Sequence, residues 1–311
     1  MTTLGLDTSN YPTSAAIFDG EGGRNAGRLL SVPAGALGLR QSEALFQHVK
    51  ALPAQIETLG ELREIWAVAA STRPRAVEGS YMPCFLAGES LGRSLASALG
   101  VPFYEVSHQQ GHLAAAAWSA GRGELLDAPF LAWHLSGGTT ELLHVEPQGA
   151  NLSAKRIGGT TDISAGQLID RTGVQLGLGF PAGRALDALA AGCHDRPKPF
   201  PVKIQGLEFS LSGMENQIKD RVREGEPPER VAAFALDTVA GVVSVVTGEA
   251  LEQYPGLPVL CSGGVASNSR LRQVLTERYR AVFAPPEYST DNALGVAILA
   301  HRLNDFAKER W

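Results

Sequence analysis

Apolar residues recur along this chain with two periods, the alternation of a strand and the three-to-four spacing of a helix. Residues 4–19 read LGLDTSNYPTSAAIFD and residues 131–146 read LAWHLSGGTTELLHVE. Each is a short apolar strand, a turn rich in Ser, Thr and Gly or Asn, and a second strand ending in an acid. Ser9 matches Ser136 and Thr13 matches Thr140 at the same offset. Turns of this kind can offer backbone N–H groups and hydroxyls to phosphate. They are either two unrelated hairpins or two copies of one unit, and copies predict a duplicated α/β fold with nucleotide in its cleft.

The remaining pattern alternates strand and helix, as an α/β protein does. Residues 64–71 and 258–261 read as buried strands, and 102–106 as a short strand leading to a histidine pair. Residues 88–99, 164–176, 183–191 and 267–280 read as helices, and a last helix opens at Asp291 and runs toward Phe306. Residues 229–254 are apolar almost all round, which predicts a central buried helix. The run Phe209-Ser210-Leu211-Ser212-Gly213 has the alternation of a strand with one hydroxyl-bearing face. Segments 121–129 and 194–202 read as surface loops. The expected division is an N-terminal lobe over 1–125 and a C-terminal lobe over 126–311, with the last helix packing back on the first lobe.

Composition narrows the function classes. Of 311 residues, 44% are hydrophobic and 19% charged, as in soluble globular proteins. The net charge of −5 makes the whole chain no electrostatic magnet for nucleic acid, so RNA contact requires a local basic patch or a partner subunit. Cys84, Cys193 and Cys261 are odd in number and widely spaced, which reads as reduced thiols in a cytoplasmic protein. The first residues carry no basic region and no long apolar run, so no signal peptide and no membrane span is expected.

His108 and His112 are the sharpest chemical signal. In a helix, a spacing of four puts both imidazoles on one face. Two imidazoles with a carboxylate such as Asp291 suit a divalent transition metal that keeps positions open for substrate oxygens. The plainer alternative is one exposed histidine and one satisfied in a core. A zinc protease is excluded, because its His-Glu-x-x-His motif needs a general base where this chain has Gln109. Leu135-Ser136-Gly137-Gly138-Thr139 is a phosphate-loop candidate or simply a tight hairpin. In Ser262-Gly263-Gly264-Val265-Ala266-Ser267-Asn268, a strand runs through paired glycines into a helix, which suits a nucleotide or a plain N-cap. Asp170 and Asp187 sit on apolar helices, either as ribose acceptors or as surface acids, and Gly183 either admits a ligand or ends a turn.

In order and spacing, these motifs resemble the TsaD/Gcp family of tRNA threonylcarbamoyltransferases, from Leu4 to about Leu299. They are strand–DTS, the histidine pair, SGG, GQLIDRT, LGLGFPAG, FSLSG, SGGVASN and STDNA. The resemblance implies an α/β, duplicated, two-lobed actin-like ATPase (ASKHA) fold with a nucleotide cleft between lobes. It implies one divalent metal, iron or zinc, on His108, His112 and Asp291. It places an adenine nucleotide, ATP or threonylcarbamoyl-AMP as substrate, on Leu135, Ser136, Gly137, Gly138, Thr139, Asp170, Gly183, Asp187 and Asn268. The implied reaction is transfer of threonylcarbamoyl to N6 of a tRNA adenosine. The implied partners are tRNA, through a multi-subunit complex with TsaB-like and TsaE-like subunits or a homodimer.

The chain departs from the family pattern in several places. The acidic pair of the first hairpin is replaced by Tyr11-Pro12, so no catalytic acid or base is assigned. Thr139 stands where the nucleotide loop has His, Gln110 where the family's His-x-Glu-Gly-His has Glu, and Glu215 where Lys often follows the Ser-Gly. Arg73–Gly79 replaces a Gly-Pro-Gly turn. Two other readings follow from these changes. One is a non-catalytic or weakly active nucleotide-binding paralogue acting as a partner subunit. The other is a small-molecule carbamoyl- or phosphotransferase.

Overall fold

The computed structural model describes residues 1–9, 11–32, 39–289 and 292–308. The chain opens with β1 (Thr2–Asp7), β2 (Pro12–Phe18), β3 (Gly23–Leu29), α1 (Gln41–Thr58), β4 (Ile65–Arg73), α2 (Leu86–Leu99), β5 (Phe103–Ser107) and α3 (His108–Ser119). Then come β6 (Phe130–Leu135), β7 (Thr140–Gln148), β8 (Asn151–Thr160), α4 (Ala165–Gln175), α5 (Gly183–Ala191), β9 (Ile204–Gln205) and β10 (Glu208–Phe209). The remainder is α6 (Ser212–Arg223), α7 (Pro228–Gln253), β11 (Val259–Ser262), α8 (Ser269–Tyr279), β12 (Val282–Phe283) and α9 (Leu294–Lys308). These elements form two units. The first is Met1–Ala128 with Glu146–Ala154 and Thr290–Trp311, and the second is Pro129–Val145 with Lys155–Ser289.

The first unit carries a sheet ordered β3-β2-β1-β4-β5. β1 is antiparallel to β2 and parallel to β4, which is parallel to β5. β1 and β4 are buried along nearly their whole length, as central strands with both faces covered are. Small residues let α9 lie flush against this layer. A side chain at Gly5 would stand 2.7 Å from the Ala293 carbonyl oxygen, and one at Gly295 would stand 2.9 Å from the Ala115 amide on α3. α1 and β3 are absent from the sequence reading. α1 holds Pro53 inside it and leaves Phe46 and Val49 exposed, so its apolar positions do not form one clean stripe.

The second unit carries a sheet ordered β12-β11-β6-β7-β8-β10-β9. Its core is organised on α7. Among the described residues, α7 is the helix long and apolar enough to cross a membrane, and 83% of that stretch is buried. The fully buried Trp133 of β6 donates its indole N–H to Thr247 Oγ1 of α7 at 2.9 Å, which satisfies the ring's polar atom in the core.

Three expectations are corrected here. The run Phe209–Gly213 is not a strand throughout: β10 stops at Phe209 and α6 begins at Ser212. Asp162 accepts from the amides of Leu211 (2.9 Å) and Ser212 (3.2 Å) and from Ser210 Oγ (2.5 Å), so it supplies the acceptors that a helix start lacks. Burial alone would raise the Asp162 pKa, but the hydroxyls of Ser210 and Ser212 and these amides outweigh it and hold the carboxyl well below the ordinary range. The expected helix 267–280 is a 3-10 turn, Gly264–Ser267, followed by α8. Segment 121–129 contains the 3-10 turn Gly123–Asp127, whose Leu125 and Leu126 are buried. The expected start of the last helix, Asp291, lies outside the described residues.

Candidate functional site

In the first unit, Ser107 sets the start of α3. Its hydroxyl accepts from the Gln110 amide at 3.2 Å, and Gln110 Oε1 accepts from the Ser107 amide at 2.7 Å, a reciprocal capping box. His108 is therefore the first helical residue and His112 stands one turn on. Their rings lie 4.3 Å apart between centroids at 85°, and the two Nε2 atoms approach to 2.9 Å. His108 Nδ1 lies 2.7 Å from Oδ2 of the buried Asp7. Asp7 is held in turn at Oδ1 by Ser71 Oγ (2.7 Å) and the Ser9 amide (3.0 Å). A carboxylate there keeps the His108 proton on Nδ1 and leaves Nε2 as an acceptor for a hydrogen bond from His112 Nε2, and a carboxylate on the far ring nitrogen is also how ligating histidines are held.

This pair fits two ligands of a metal site. Among the described residues, no group of three His, Cys, Asp or Glu is placed to hold an ion, and the third expected ligand, Asp291, lies outside them. Gln110, which replaces a glutamate of the resembling family, has a local role. Beyond the capping box, its amide donates to the Leu152 carbonyl at 2.5 Å, a bond that a carboxylate cannot donate.

The first hairpin's hydroxyls turn inward, contrary to the expectation of a phosphate-binding turn. Thr8 Oγ1 donates to the Cys84 carbonyl (3.0 Å) and accepts from the Gly88 amide (3.1 Å). Thr13 Oγ1 lies 2.8 Å from Nδ1 of the buried His48. Burial is the largest influence on His48 and lowers its pKa, against the raising effects of the Ser9 backbone and Asp7. Burial, with Asp7 nearby, pushes the Cys84 thiol up to about 11, so it is no thiolate nucleophile at neutral pH.

In the second unit, the turn after β6 is closed by the Ser136 amide on the Thr139 carbonyl (2.8 Å) and the Thr139 amide on Ser136 Oγ (3.1 Å). Gly137 and Gly138 are not among the positive-φ glycines, and a side chain at either would meet nothing within 4 Å. Neither conformation nor packing requires glycine there, which leaves bare backbone open to a ligand. Gly263 differs. Its φ is 93°, and a side chain would collide with the Leu135 backbone, so the two glycine-rich turns lie against each other. Ser164 begins α4 with a second capping box and also donates to the Gly137 carbonyl at 2.6 Å.

Asp170 accepts from the Ala182 amide at 2.8 Å and lines a cavity of about 490 Å³ with Gly137, Gln167, Arg171, Phe180 and Glu215. Phe180 is 78% exposed beside it. Glu215 pairs with Lys219 (2.7 Å) and Arg171 (2.6 Å), which hold its carboxyl below the ordinary range. Asp187 and Asn268 bind each other instead of lining this cavity. Asp187 Oδ1 accepts from Asn268 Nδ2 (2.7 Å) and Ser269 Oγ (2.8 Å), while Asn268 Oδ1 caps α8 at the Leu271 amide (2.9 Å). Gly183 opens α5, with Ile169 Cγ2 at 3.9 Å from a built side chain. Asp7, Ser164 and Gln167 were missed as site residues. Their signals were the DTS at the end of a buried strand and the Ser-x-x-Gln spacing of a capping box.

A family model described as "tRNA N6-adenosine threonylcarbamoyltransferase" matches residues 42–298. The chain is 31% identical to the enzyme of that name from Thermus thermophilus over 97% of this chain and 93% of the relative. It is 32% identical to that from Syntrophobacter fumaroxidans over 97% and 94%. The chain belongs to the tRNA N6-adenosine threonylcarbamoyltransferase family. Members of this family are transferases named for tRNA modification, so the expected resemblance is confirmed over nearly the whole chain. Solved structures agree on the actin-like ATPase fold. Full-length HypF, in a phosphate- and nucleotide-bound form, gives a TM-score of 0.61 at 13% identity, covering 98% of this chain and 47% of HypF. The activator of 2-hydroxyisocaproyl-CoA dehydratase from Clostridium difficile, with bound ADPNP, gives 0.55 at 15% identity, covering 100% and 98%.

Proposed function

We propose that this chain transfers the threonylcarbamoyl group of threonylcarbamoyl-AMP to N6 of a tRNA adenosine, with a divalent metal on His108, His112 and Asp291. The observation that carries the metal part is the 2.9 Å approach of the two Nε2 atoms, with Asp7 orienting His108. The ion, when bound, supplies Lewis-acid polarisation of a substrate carbonyl oxygen. The chain's own residues do the rest. Asp7 holds His108 in one tautomer, the Ser136–Thr139 turn offers backbone to the adenylate phosphate, and Asp170 accepts from ribose hydroxyls. The amine attacks the carbamoyl carbon, the bond from that carbon to the adenylate oxygen breaks, AMP leaves with that oxygen and its electron pair, and the amine's surplus proton passes to solvent. Binding of an adenine nucleotide fits the fold, since the HypF and activator structures carry nucleotides. Cytoplasmic action with TsaB-like and TsaE-like subunits, or as a homodimer, belongs to the same reading. The test is reconstitution with an enzyme that makes the adenylate and with unmodified tRNA, scored by mass spectrometry of the product nucleoside. No product under any partner combination sinks the proposal.

One observation favours a second reading, a weakly active paralogue. Residues 8–18 contain no acid. Pro12 is buried at the start of β2, and the Tyr11 carbonyl accepts from the Leu30 amide at 2.8 Å. A general base is worth about 10²–10⁴-fold in rate. Burial makes Pro12→Glu a poor rescue, whereas Tyr11, 36% exposed, can carry an acid. Under this reading Tyr11→Glu raises a slow transfer rate. Family-like turnover by the wild type, unchanged in Tyr11→Glu, excludes it.

A further inference from the structure

A second cavity of the second unit, about 540 Å³, runs along α7 and α8 beside the 196–199 segment. Arg196, Lys198, Arg270 and Arg278 line it against only two acids, Asp237 and Glu277, in a chain whose net charge is −5. The cations are held in place from beneath. Asp237 is 7% exposed and accepts from Arg196 at Nε (2.8 Å) and Nη2 (3.0 Å), and from Arg270 Nε (3.0 Å). One buried carboxylate shared by two guanidiniums leaves a surplus positive charge and fixes both planar forks. Arg278 is steadied by the buried Ser244 hydroxyl at 3.1 Å. Lys198 is exposed between Pro197 and Pro199, whose rings restrict its backbone.

The floor of this groove contains a glycine that the fold does not need. Gly241 lies inside α7, where glycine is a poor helix former. It is not among the positive-φ glycines, and a side chain there would meet nothing within 4 Å. Gly248, further along the same helix, is needed, because a side chain would stand 2.8 Å from the Tyr279 hydroxyl. Gly241 thus lowers the groove floor without serving packing.

We propose that this groove binds the phosphodiester backbone of the RNA substrate, with Lys198, Arg270 and Arg278 contacting phosphates over the clearance left by Gly241. The proposal rests on the tRNA reading above and adds a location for the RNA. Preset guanidinium forks match phosphate oxygens, and the lining contains no aromatic side chain of the kind that anchors protein partners or stacks bases. Contacts of this type position RNA without reading its sequence.

The test is a fluorescence-anisotropy titration of an unmodified tRNA transcript across a salt series. Lys198→Glu combined with Arg278→Glu should weaken binding about 10–100-fold and reduce the salt slope by about 2. Gly241→Gln removes no charge and no bond. It should weaken binding about 3–10-fold by filling the floor while melting no lower than the wild type. Adenine-nucleotide affinity should stay unchanged in all three proteins. Unchanged tRNA affinity and salt slope in both variants overturns the proposal, as does a wild type that binds no tRNA. So does a double variant that keeps its tRNA affinity but loses binding to a polyglutamate peptide, which would assign the groove to an acidic protein. Product formation separates this from the functional reading. Modification of tRNA with an unchanged KM in the variants sinks the groove alone. Groove-dependent binding without modification supports the groove and sinks the transfer reading alone.

Discussion

The hairpins β1–β2 and β6–β7 share a sequence plan and spend their polar groups in opposite ways. In the first, Asp7, Thr8 and Thr13 are buried and turned on their own unit, toward His108, the Cys84 carbonyl and His48. In the second, the turn is closed by Ser136 and Thr139, and its two glycines face open space. A carboxylate and hydroxyls locked into a core suit the orientation of a metal-ligating histidine. A turn whose glycines carry no side chain and whose Cα positions open on free space can be approached closely by a phosphate, even though the Gly137 carbonyl is held by Ser164. Under the proposed function, one sequence plan serves as an orienting hairpin in the first unit and a receiving hairpin in the second, and the difference lies in where the turn's polar atoms point.

The largest effect expected from perturbing this contrast is at Gly263, which follows β11 and packs against the end of β6 at Leu135. Gly263→Val forces a side chain into a glycine-only conformation and against the Leu135 backbone, and should cost at least about 3 kcal/mol in urea unfolding. Gly137→Ala should change stability by no more than about 0.5 kcal/mol yet weaken nucleotide binding. Equal losses from the two would erase the distinction between a packing glycine and a receiving one. Next comes Asp7→Asn, which removes the charge that orients His108. Metal affinity should fall about 10–100-fold with the fold intact, measured by competition with a chromogenic chelator. Asp170→Ala should weaken adenine-nucleotide binding by about 1–3 kcal/mol in calorimetry, and an unchanged affinity would remove Asp170 from the site.

The smallest effect separates the two units by pH. His48 is held neutral by burial, so below its unfolded pKa of about 6.5 the unfolded chain takes up a proton that the folded chain refuses. Stability should fall as pH drops through that value toward the lowered folded pKa, and His48→Gln should flatten the decline. Asp162 is depressed, so its contribution is complete above its ordinary pKa of 3.8 and fades as pH falls from there through the lowered folded value. Asp162→Asn should therefore leave the weakly acidic decline intact. A decline unchanged in His48→Gln would contradict the assignment.

Much of the architecture was legible because the hairpins alternate cleanly and the 229–254 run is apolar almost all round, as a buried core helix is. The histidine pair stood out by its spacing, which puts both rings on one face only if the segment is helical, and α3 supplies that helix. α1 and α6 escaped for physical reasons: the first exposes Phe46 and Val49 and contains Pro53, and the second begins in a run whose hydroxyl alternation also fits a strand. What the sequence could not display were bonds between distant residues. Asp7 meets His108 across 101 positions, and Asp187 meets Asn268 across 81. Without those bonds, Asp7 had no role of its own within the DTS motif, and Asp187 and Asn268 looked like two independent ligand contacts.

The central claim is that the first hairpin orients a metal site built on His108 and His112. The most direct measurement is metal content by mass spectrometry of freshly purified wild type, His108→Ala and His112→Ala. The account predicts about one divalent ion per wild-type chain and a sharp loss in both variants, because two ligands rarely hold what three do. Equal metal content in all three proteins would contradict it.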